Sequence, residues 1–286
     1  MAHLPGTLSA LMSNFLSAED RTTVISALAE GSSIRAIERM TGIYRNTIMK
    51  LGLWVGENCQ RIMHEKMRGL ACKKLQLDEI WGFVKKKQKH VSEKDNPGMV
   101  GDMWTFVAID ADTKLVPCYR IGKRDSENAN AFVCDLAGRL KNRVQLSTDA
   151  LRAYVEAVEK GFGGEVDYGQ IVKAYTAPAE PGPSRYSPPP LISVTKTVIV
   201  GKPDEKFIAT SYIERQNLTM RMHMRRLTRL TNAFSKKLAN FKAAVALHFV
   251  YYNFVKTHKT LRCTPAMAAG LEPSFWSVCD LIDRCA

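Results

Sequence analysis

The chain has 286 residues, of which 45% are hydrophobic and 24% charged, so it can bury a sizeable core and wholesale disorder is excluded. Because no apolar run is long enough to span a bilayer and the N-terminus lacks a basic stretch ahead of an apolar core, we expect a cytoplasmic protein without a signal peptide. The seven cysteines form no CxxC pair, so we expect reduced thiols. The net charge of +13 indicates a polyanionic partner.

Near the N-terminus, helical spacing of apolar residues predicts three short helices, at 18–30, 33–40 and 44–51. A tight turn containing Gly42 separates the last two. Helix, short turn and helix is the pattern of DNA-binding domains whose last helix enters a major groove. We therefore predict a helix-turn-helix domain over 1–60, with Arg45, Asn46 and Lys50 facing DNA. An ordinary three-helix cap on the next domain is the alternative.

A linker at 61–74 is predicted to lead to the main domain, at 75–262. Alternating apolar residues and turn signals predict strands at 75–84, 103–109, 115–121, 143–148 and 167–175. Helices are predicted at 126–141, with Ser126 as cap, and at 151–162. Three strands in hairpin connection, followed by alternating helix and strand, predict a ribonuclease H-like α/β domain with a mixed sheet.

The remaining third of the chain begins with a Pro-rich segment at 178–190, which favours an irregular surface loop. We place it in an insertion at 177–210 that also holds a short β-like stretch at 192–200. Helices are predicted from Ser211 to about Leu230 and again at about 235–256, before a C-terminal tail at 263–286.

The first of these helices opens a strongly basic stretch. Residues 211–262 contain eleven Lys or Arg and a single acid, Glu214. Glu214 shares one face of this predicted helix with Arg221 and Arg225, which lie seven and eleven residues further on. Such a face suits a metal site that continues into a phosphate-binding surface. A bundle helix with a solvated basic side is the alternative.

Three acids stand where this topology would bring them together. Asp78 lies in the first strand, Asp149 at the end of the fourth, and Glu214 near the start of the basic helix. Phosphodiester transfer needs charge neutralisation on the attacking and leaving oxygens, which two Mg²⁺ ions can supply. Without metal, three such carboxylates repel one another, which predicts raised pKa values. Taken singly, each acid is more often a turn, cap or helix-start residue.

Other acids are predicted to lie apart from this group. Glu79 should point to the opposite side of its strand from Asp78, because side chains alternate along a strand. Asp110 and Asp112 suit the turn between the second and third strands.

Several motifs resemble those of Asp-Asp-Glu transposases from bacterial insertion sequences, nearest to the insertion sequence one group. They cover roughly residues 70–272 and include LDEIWGFVKKKQK, STDALRAY, YIERQNLTMRMHMRRLTRLTNAFSKK and YYNFVKTHKTLRCTPAMAAGL. The resemblance implies a ribonuclease H-like core, Mg²⁺ or Mn²⁺ as cofactor, nicking at transposon ends and strand transfer of the exposed 3′-OH. It implies the triad Asp78, Asp149 and Glu214, with Arg221 as the basic residue following the Glu.

On this basis we expect a DNA transposase that works as a homo-oligomer associated with the bacterial nucleoid, with two metal ions in each active site. The basic residues expected to contact DNA phosphates are Lys85, Lys86, Lys87, Lys89, Arg221, Arg225, Arg226 and Arg229. Two alternatives remain open: a regulatory or domesticated protein that binds DNA without cutting, and a ribonuclease H-like nuclease that does not join strands. The cysteine-rich zinc module common in that group is missing, and Cys59, His64 and Cys72 are the nearest approach to a ligand set.

Overall fold

The computed structural model describes residues 16–176, 190–228 and 231–286. The predicted Pro-rich loop therefore lies outside the described residues, apart from Pro190, and so does Arg229. Nine α-helices are present in the described part: α1 Ala18–Ala29, α2 Ile34–Thr41, α3 Arg45–Lys66, α4 Ser126–Ala137, α5 Arg152–Phe162, α6 Ser211–His223, α7 Leu238–Val250, α8 Pro265–Ala268 and α9 Val278–Asp283. Among these helices, none is both long and apolar enough to cross a membrane.

The strands form one mixed sheet. They are β1 Lys74–Val84, β2 Gly101–Asp110, β3 Tyr119–Gly122, β4 Val144–Thr148, β5 Val166–Tyr175 and β6 Leu191–Val200, in the spatial order β3-β2-β1-β4-β5-β6. β1, β4 and β5 run parallel, whereas β2, β3 and β6 pair antiparallel to their neighbours. This arrangement is compatible with the predicted ribonuclease H-like α/β fold, and it makes β1 and β4 neighbours, which is the condition for Asp78 and Asp149 to meet.

A single hydrophobic core joins the N-terminal helices to the sheet. It extends from Val24 on α1, through Ile48 and Leu51 on α3, to Phe241 on α7 and Leu281 on α9. α3 was predicted to end near Leu51 but continues to Lys66, so the first part of the predicted linker at 61–74 is helical. The three predicted N-terminal helices exist; a separate helix-turn-helix domain is not confirmed.

The predicted basic helix is shorter than expected. α6 ends at His223, Met224 is extended, and Arg225–Leu227 form one 3-10 turn. Arg221 stabilises this break, because its Nη1 donates to the carbonyl oxygen of Leu227 at 3.0 Å. Glu214 and Arg221 both lie on α6, whereas Arg225 lies beyond its end. The prediction that Arg225 shares a helix face with them is therefore wrong.

Three smaller predictions also needed correction. Asp125, rather than Ser126, caps α4, because its side chain accepts the backbone N–H of Asn128. The β-like stretch predicted at 192–200 is confirmed as the edge strand β6, but it pairs with β5 and so belongs to the main sheet instead of an irregular insertion. The third strand begins at Tyr119 instead of at Leu115.

The close approach of α3 and α7 gives a stability prediction. A Cβ on Gly56 would collide with the backbone of Ala243, whereas a Cβ on Gly52, one turn earlier, would lie 3.1 Å from the tip of Leu28. We expect Gly56→Ala to lower the free energy of unfolding by about 1–3 kcal/mol, as overpacking does. Gly52→Ala is the matched control and should be neutral or mildly stabilising, because alanine favours a helix. Urea denaturation that ranks the two variants equal would contradict the packing described.

Candidate active site

The site begins where the parallel pairing of β1 and β4 ends. The last paired residues are Leu77 on β1 and Thr148 on β4. Asp78 and Asp149 each follow directly, so the register places them side by side. The side chain of Asp149 accepts the N–H of Leu151 at 3.0 Å, which fixes it at the start of α5.

Three carboxylates converge at this point. Asp78, Glu79 and Asp149 each offer an oxygen, and these oxygens all lie within 4.8 Å of one another. This cluster could hold a metal ion, since carboxylate oxygens are the ligands that hard divalent cations prefer. Glu79 was predicted to lie apart, and that prediction is wrong: β4 stops opposite Leu77, so both acids of β1 can reach Asp149 past the end of β4.

Glu79 is buried and firmly held. Its side chain is 1% exposed and lies 2.6 Å from the guanidinium of Arg124, while the hydroxyl of Tyr154 donates to it at 3.0 Å. Burial and the charge of Asp149 raise the pKa of Glu79, although Arg124 and Tyr154 oppose the rise. The sequence offered one signal for this role, an acid in the middle of an apolar strand.

Asp78 is crowded by the negative charges around it. Burial raises the pKa of Asp78 to about 7, and the charges of Glu79, Asp149 and Glu214 add to the rise. Two donors stabilise the carboxylate: the backbone N–H of Glu79 and the side-chain amide of Asn217, both at 2.8 Å. The raised pKa expected for crowded carboxylates without metal is therefore confirmed for Asp78.

Glu214 is near this cluster but not within it. It lies in the first turn of α6 with its side chain 48% exposed, and it pairs with Lys173 of β5. Thr210 donates a further hydrogen bond to its carboxylate at 2.7 Å. Glu214 and Asp149 line the same groove of about 520 Å³, whose walls also carry the cations Arg124, Arg152 and Lys173.

Two side chains attach α6 to β1. The buried side-chain oxygen of Gln76 accepts the backbone N–H groups of Tyr212 and Ile213, at 2.8 and 3.1 Å. Asn217, further along α6, donates to Asp78. Because these contacts lie on either side of Glu214, they set where its carboxylate stands relative to Asp78. Sequence reasoning missed both residues, since their role depends on how the helix docks.

The residues predicted to contact DNA from the N-terminal helices are exposed. Arg45, Asn46 and Lys50 all lie on the outer side of α3. Arg45 contacts Glu38 of α2 at 4.0 Å, a surface ion pair of small energetic weight. Their exposure is compatible with the predicted DNA contact, which stays a prediction.

The lysines between 85 and 89, which were also predicted to contact DNA, lie at the surface. Lys85 and Lys86 pair with Asp95 at 3.5 and 2.7 Å, whereas Lys87 and Lys89 are exposed.

The basic residues after α6 play different parts. Arg225 is exposed, but Arg226 donates to the hydroxyl of Ser235 at 2.8 Å, and its burial lowers the pKa of Arg226. Arg226 and Arg221 therefore support the chain turn after α6. Both residues were also predicted to bind DNA phosphates. Their guanidinium groups already donate hydrogen bonds within the protein, so they are less available for that role.

The acids assigned to the hairpin turn behave as predicted. Asp110 accepts the backbone N–H and the hydroxyl of Thr113, at 2.9 and 2.6 Å. Asp112 pairs with Lys74 at 3.2 Å. Within the described ranges, Cys59, His64 and Cys72 do not come together as a possible metal site.

Comparison of the sequence with protein-family models and with curated proteins finds no match.

The pKa of Asp78 gives a prediction for the metal-free protein. The folded protein keeps a proton that the unfolded chain loses near pH 4, so the free energy of unfolding should fall as the pH rises from about 4 to about 7. Asp78→Asn removes the carboxyl group whose ionisation causes this fall in the free energy of unfolding. We expect the variant to be more stable than wild type at pH 8, by up to about 4 kcal/mol, and similar to it near pH 4.

Urea denaturation in a chelating buffer at both pH values measures this difference. Asp112→Asn is the control, because it removes an exposed carboxylate that already has a lysine partner. If Asp78→Asn raises the free energy of unfolding at pH 8 no more than this control does, negative charge is not crowded at Asp78 as described.

The contact between Gln76 and α6 gives a second prediction. Gln76→Met keeps the chain length but removes the acceptor for two N–H groups, so we expect a loss of about 1–3 kcal/mol of stability. Hydrogen exchange at Tyr212 and Ile213 should become faster. Gln76→Glu retains an acceptor oxygen and should keep the exchange slow; equal exchange in both variants would refute this attachment.

Proposed function

We propose that this protein is a metal-dependent DNA transposase of the Asp-Asp-Glu type, which hydrolyses phosphodiesters at transposon ends and transfers the 3′-OH into target DNA. The position of Asp149 beside Asp78 and in one groove with Glu214 is the observation that carries the proposal. The strand order, the groove shared with Glu214 and the resemblance of the sequence motifs support it.

The donor set fits a hard divalent cation such as Mg²⁺ or Mn²⁺. All the candidate ligands are carboxylates, and these ions favour oxygen. The raised pKa of Asp78 shows that negative charge at this point is under-compensated by the protein itself. Two such ions, when bound, would neutralise charge on the attacking and leaving oxygens of an in-line displacement.

The protein's own residues hold and orient the reacting groups. Asp78 presents its carboxylate from within β1, and Asp149 presents its carboxylate from just past the end of the neighbouring strand β4. Gln76 and Asn217 fix α6 so that Glu214 faces the same groove. Glu214 would join the other acids by exchanging its contact with Lys173, which would release the lysine for a DNA phosphate.

DNA is the proposed partner because the groove and the chain are both basic. Arg124, Arg152 and Lys173 line the groove, and the whole chain carries a net charge of +13. The exposed residues of α3, above all Arg45, Asn46 and Lys50, are proposed to read the transposon ends. We further propose a homo-oligomer, because joining two ends needs two active sites.

A nuclease that hydrolyses without joining is the second candidate. One observation favours it: Glu79 completes a three-carboxylate cluster without Glu214, whose side chain is engaged by Lys173 and Thr210. In that case Glu214 would be dispensable for cutting.

Cleavage of a labelled duplex carrying the inverted repeats that flank the gene tests the first proposal. We expect Mg²⁺-dependent nicking by wild type and a loss of roughly a hundredfold or more in Asp149→Asn, since electrostatic stabilisation by the metal site would be removed. Asp112→Asn is the matched control and should cut normally. Undiminished nicking by Asp149→Asn would sink the assignment of this site.

Glu214→Gln and Glu79→Gln separate the two candidates. For a transposase we expect Glu214→Gln to abolish nicking and strand transfer together. For a nuclease we expect Glu214→Gln to keep nicking, Glu79→Gln to lose it, and wild type to give no joined product. Products resolved on a denaturing gel distinguish these results.

A further inference from the structure

A second cavity lies at the β3 edge of the sheet, away from the carboxylate cluster. Its volume is about 250 Å³, and its walls come from α3, β3, α4 and α7 together with Arg139. Its lining includes none of the acids of the candidate active site, which are Asp78, Glu79, Asp149 and Glu214. The cavity is therefore separate from the candidate active site, and nothing about it depends on the proposed function.

Two buried donors in its wall have no hydrogen-bond partner among the described residues: the hydroxyl of Tyr119 and the Nε of Arg139. Arg139 is only 6% exposed, and its other nitrogens are used by the carbonyls of Met63 and Met67 and by Asp135. A buried donor without an acceptor costs free energy. A ligand that supplies acceptor oxygens would remove that cost at both atoms.

Both donors belong to residues that line this cavity. Burial raises the pKa of Tyr119 well above its usual range, and the charge of Arg139 opposes that rise. The charge of the guanidinium therefore acts on the hydroxyl, and both residues line this one cavity.

The cavity is also rich in positive charge. Arg120, Arg139 and Lys242 line it, against the single carboxylate of Asp135. That carboxylate is already engaged, by Arg139 at 2.9 Å and by the thiol of Cys118 at 3.1 Å. Although burial raises the pKa of Asp135, these hydrogen bonds lower it overall, so the group is a charged acceptor with its donors in place. The spare donors therefore need acceptor oxygens from outside the protein.

We propose that this cavity binds a small oxyanion, with the Nε of Arg139 and the hydroxyl of Tyr119 as donors and Arg120 and Lys242 as supporting charges. The volume sets the size of the ligand. A water molecule takes about 30 Å³ of liquid volume, so there is room for an anion and a few waters. Sites for drug-sized molecules and cofactors usually have about 300–1,000 Å³, so a nucleotide is too large.

Thermal unfolding at equal ionic strength in sodium chloride, phosphate or acetate tests this proposal. We expect phosphate, acetate or both to stabilise wild type saturably beyond chloride. Tyr119→Phe removes only the unpartnered hydroxyl, so it should fold at least as well in chloride. Its half-saturating anion concentration should be roughly tenfold higher, as the loss of one hydrogen bond predicts.

Non-specific attraction of anions to a chain of charge +13 needs a control. Lys242 lines the cavity, whereas Lys236 is exposed just before α7 and does not. Lys242→Gln should weaken the anion effect and Lys236→Gln should leave it unchanged, although each removes one charge.

A response to phosphate alone would identify a tetrahedral oxyanion as the ligand, and a response to acetate alone a carboxylate; either supports the proposal. The absence of a saturable response in wild type would overturn it, as would equal responses from wild type and Tyr119→Phe. The cavity would then hold water only.

Discussion

Mutual repulsion among three carboxylates at the end of β4 is the constraint around which the site is organised. Carboxylate oxygens of Asp78, Glu79 and Asp149 lie within 4.8 Å of one another, and burial makes the charges of Asp78 and Glu79 costly. The protein offsets part of this cost, with Arg124 and Tyr154 on Glu79 and with amide donors on Asp78. The pKa of Asp78 nevertheless stays near 7, so compensation is incomplete. A divalent cation from solution is the partner that the chemistry of the cluster favours.

The helix α6, which carries Glu214, is held in place by contacts along its length. Its first turn is held by Gln76 and its middle by the contact of Asn217 with Asp78. Its last residue, His223, lies 3.3 Å from Glu30 at the end of α1, and Lys256 contacts Glu30 at 3.4 Å. The helix that carries Glu214 is thus packed between the sheet and the N-terminal helices, all within one core.

The sequence was sufficient to predict features that depend on local pattern and strand order. Asp78 and Asp149 were expected to meet if the first and fourth strands are neighbours, and they are. Glu214 was singled out by its isolation in a basic stretch, but it lies outside the carboxylate cluster. Side-chain alternation could not predict that Glu79 joins the cluster. That rule describes one strand alone and does not include the position at which the neighbouring strand β4 ends. The end of α6 was missed for a similar reason: MRRLT contains no glycine or proline, and the break depends on the contact between Arg221 and Leu227. The length of α3 was hidden by two glycines, of which Gly56 is needed where α7 passes closely.

The central claim is that Asp78, Glu79 and Asp149 form a divalent-cation site. Anomalous diffraction from a crystal soaked in Mn²⁺ near pH 8 tests it most directly, because Mn²⁺ replaces Mg²⁺ at oxygen sites and can be located by its own signal. The account predicts a strong anomalous peak between Asp78 and Asp149, with carboxylate oxygens at about 2.0–2.2 Å, the distance typical of small hard cations. A well-ordered crystal with Mn²⁺ bound elsewhere and no peak between these residues would contradict it.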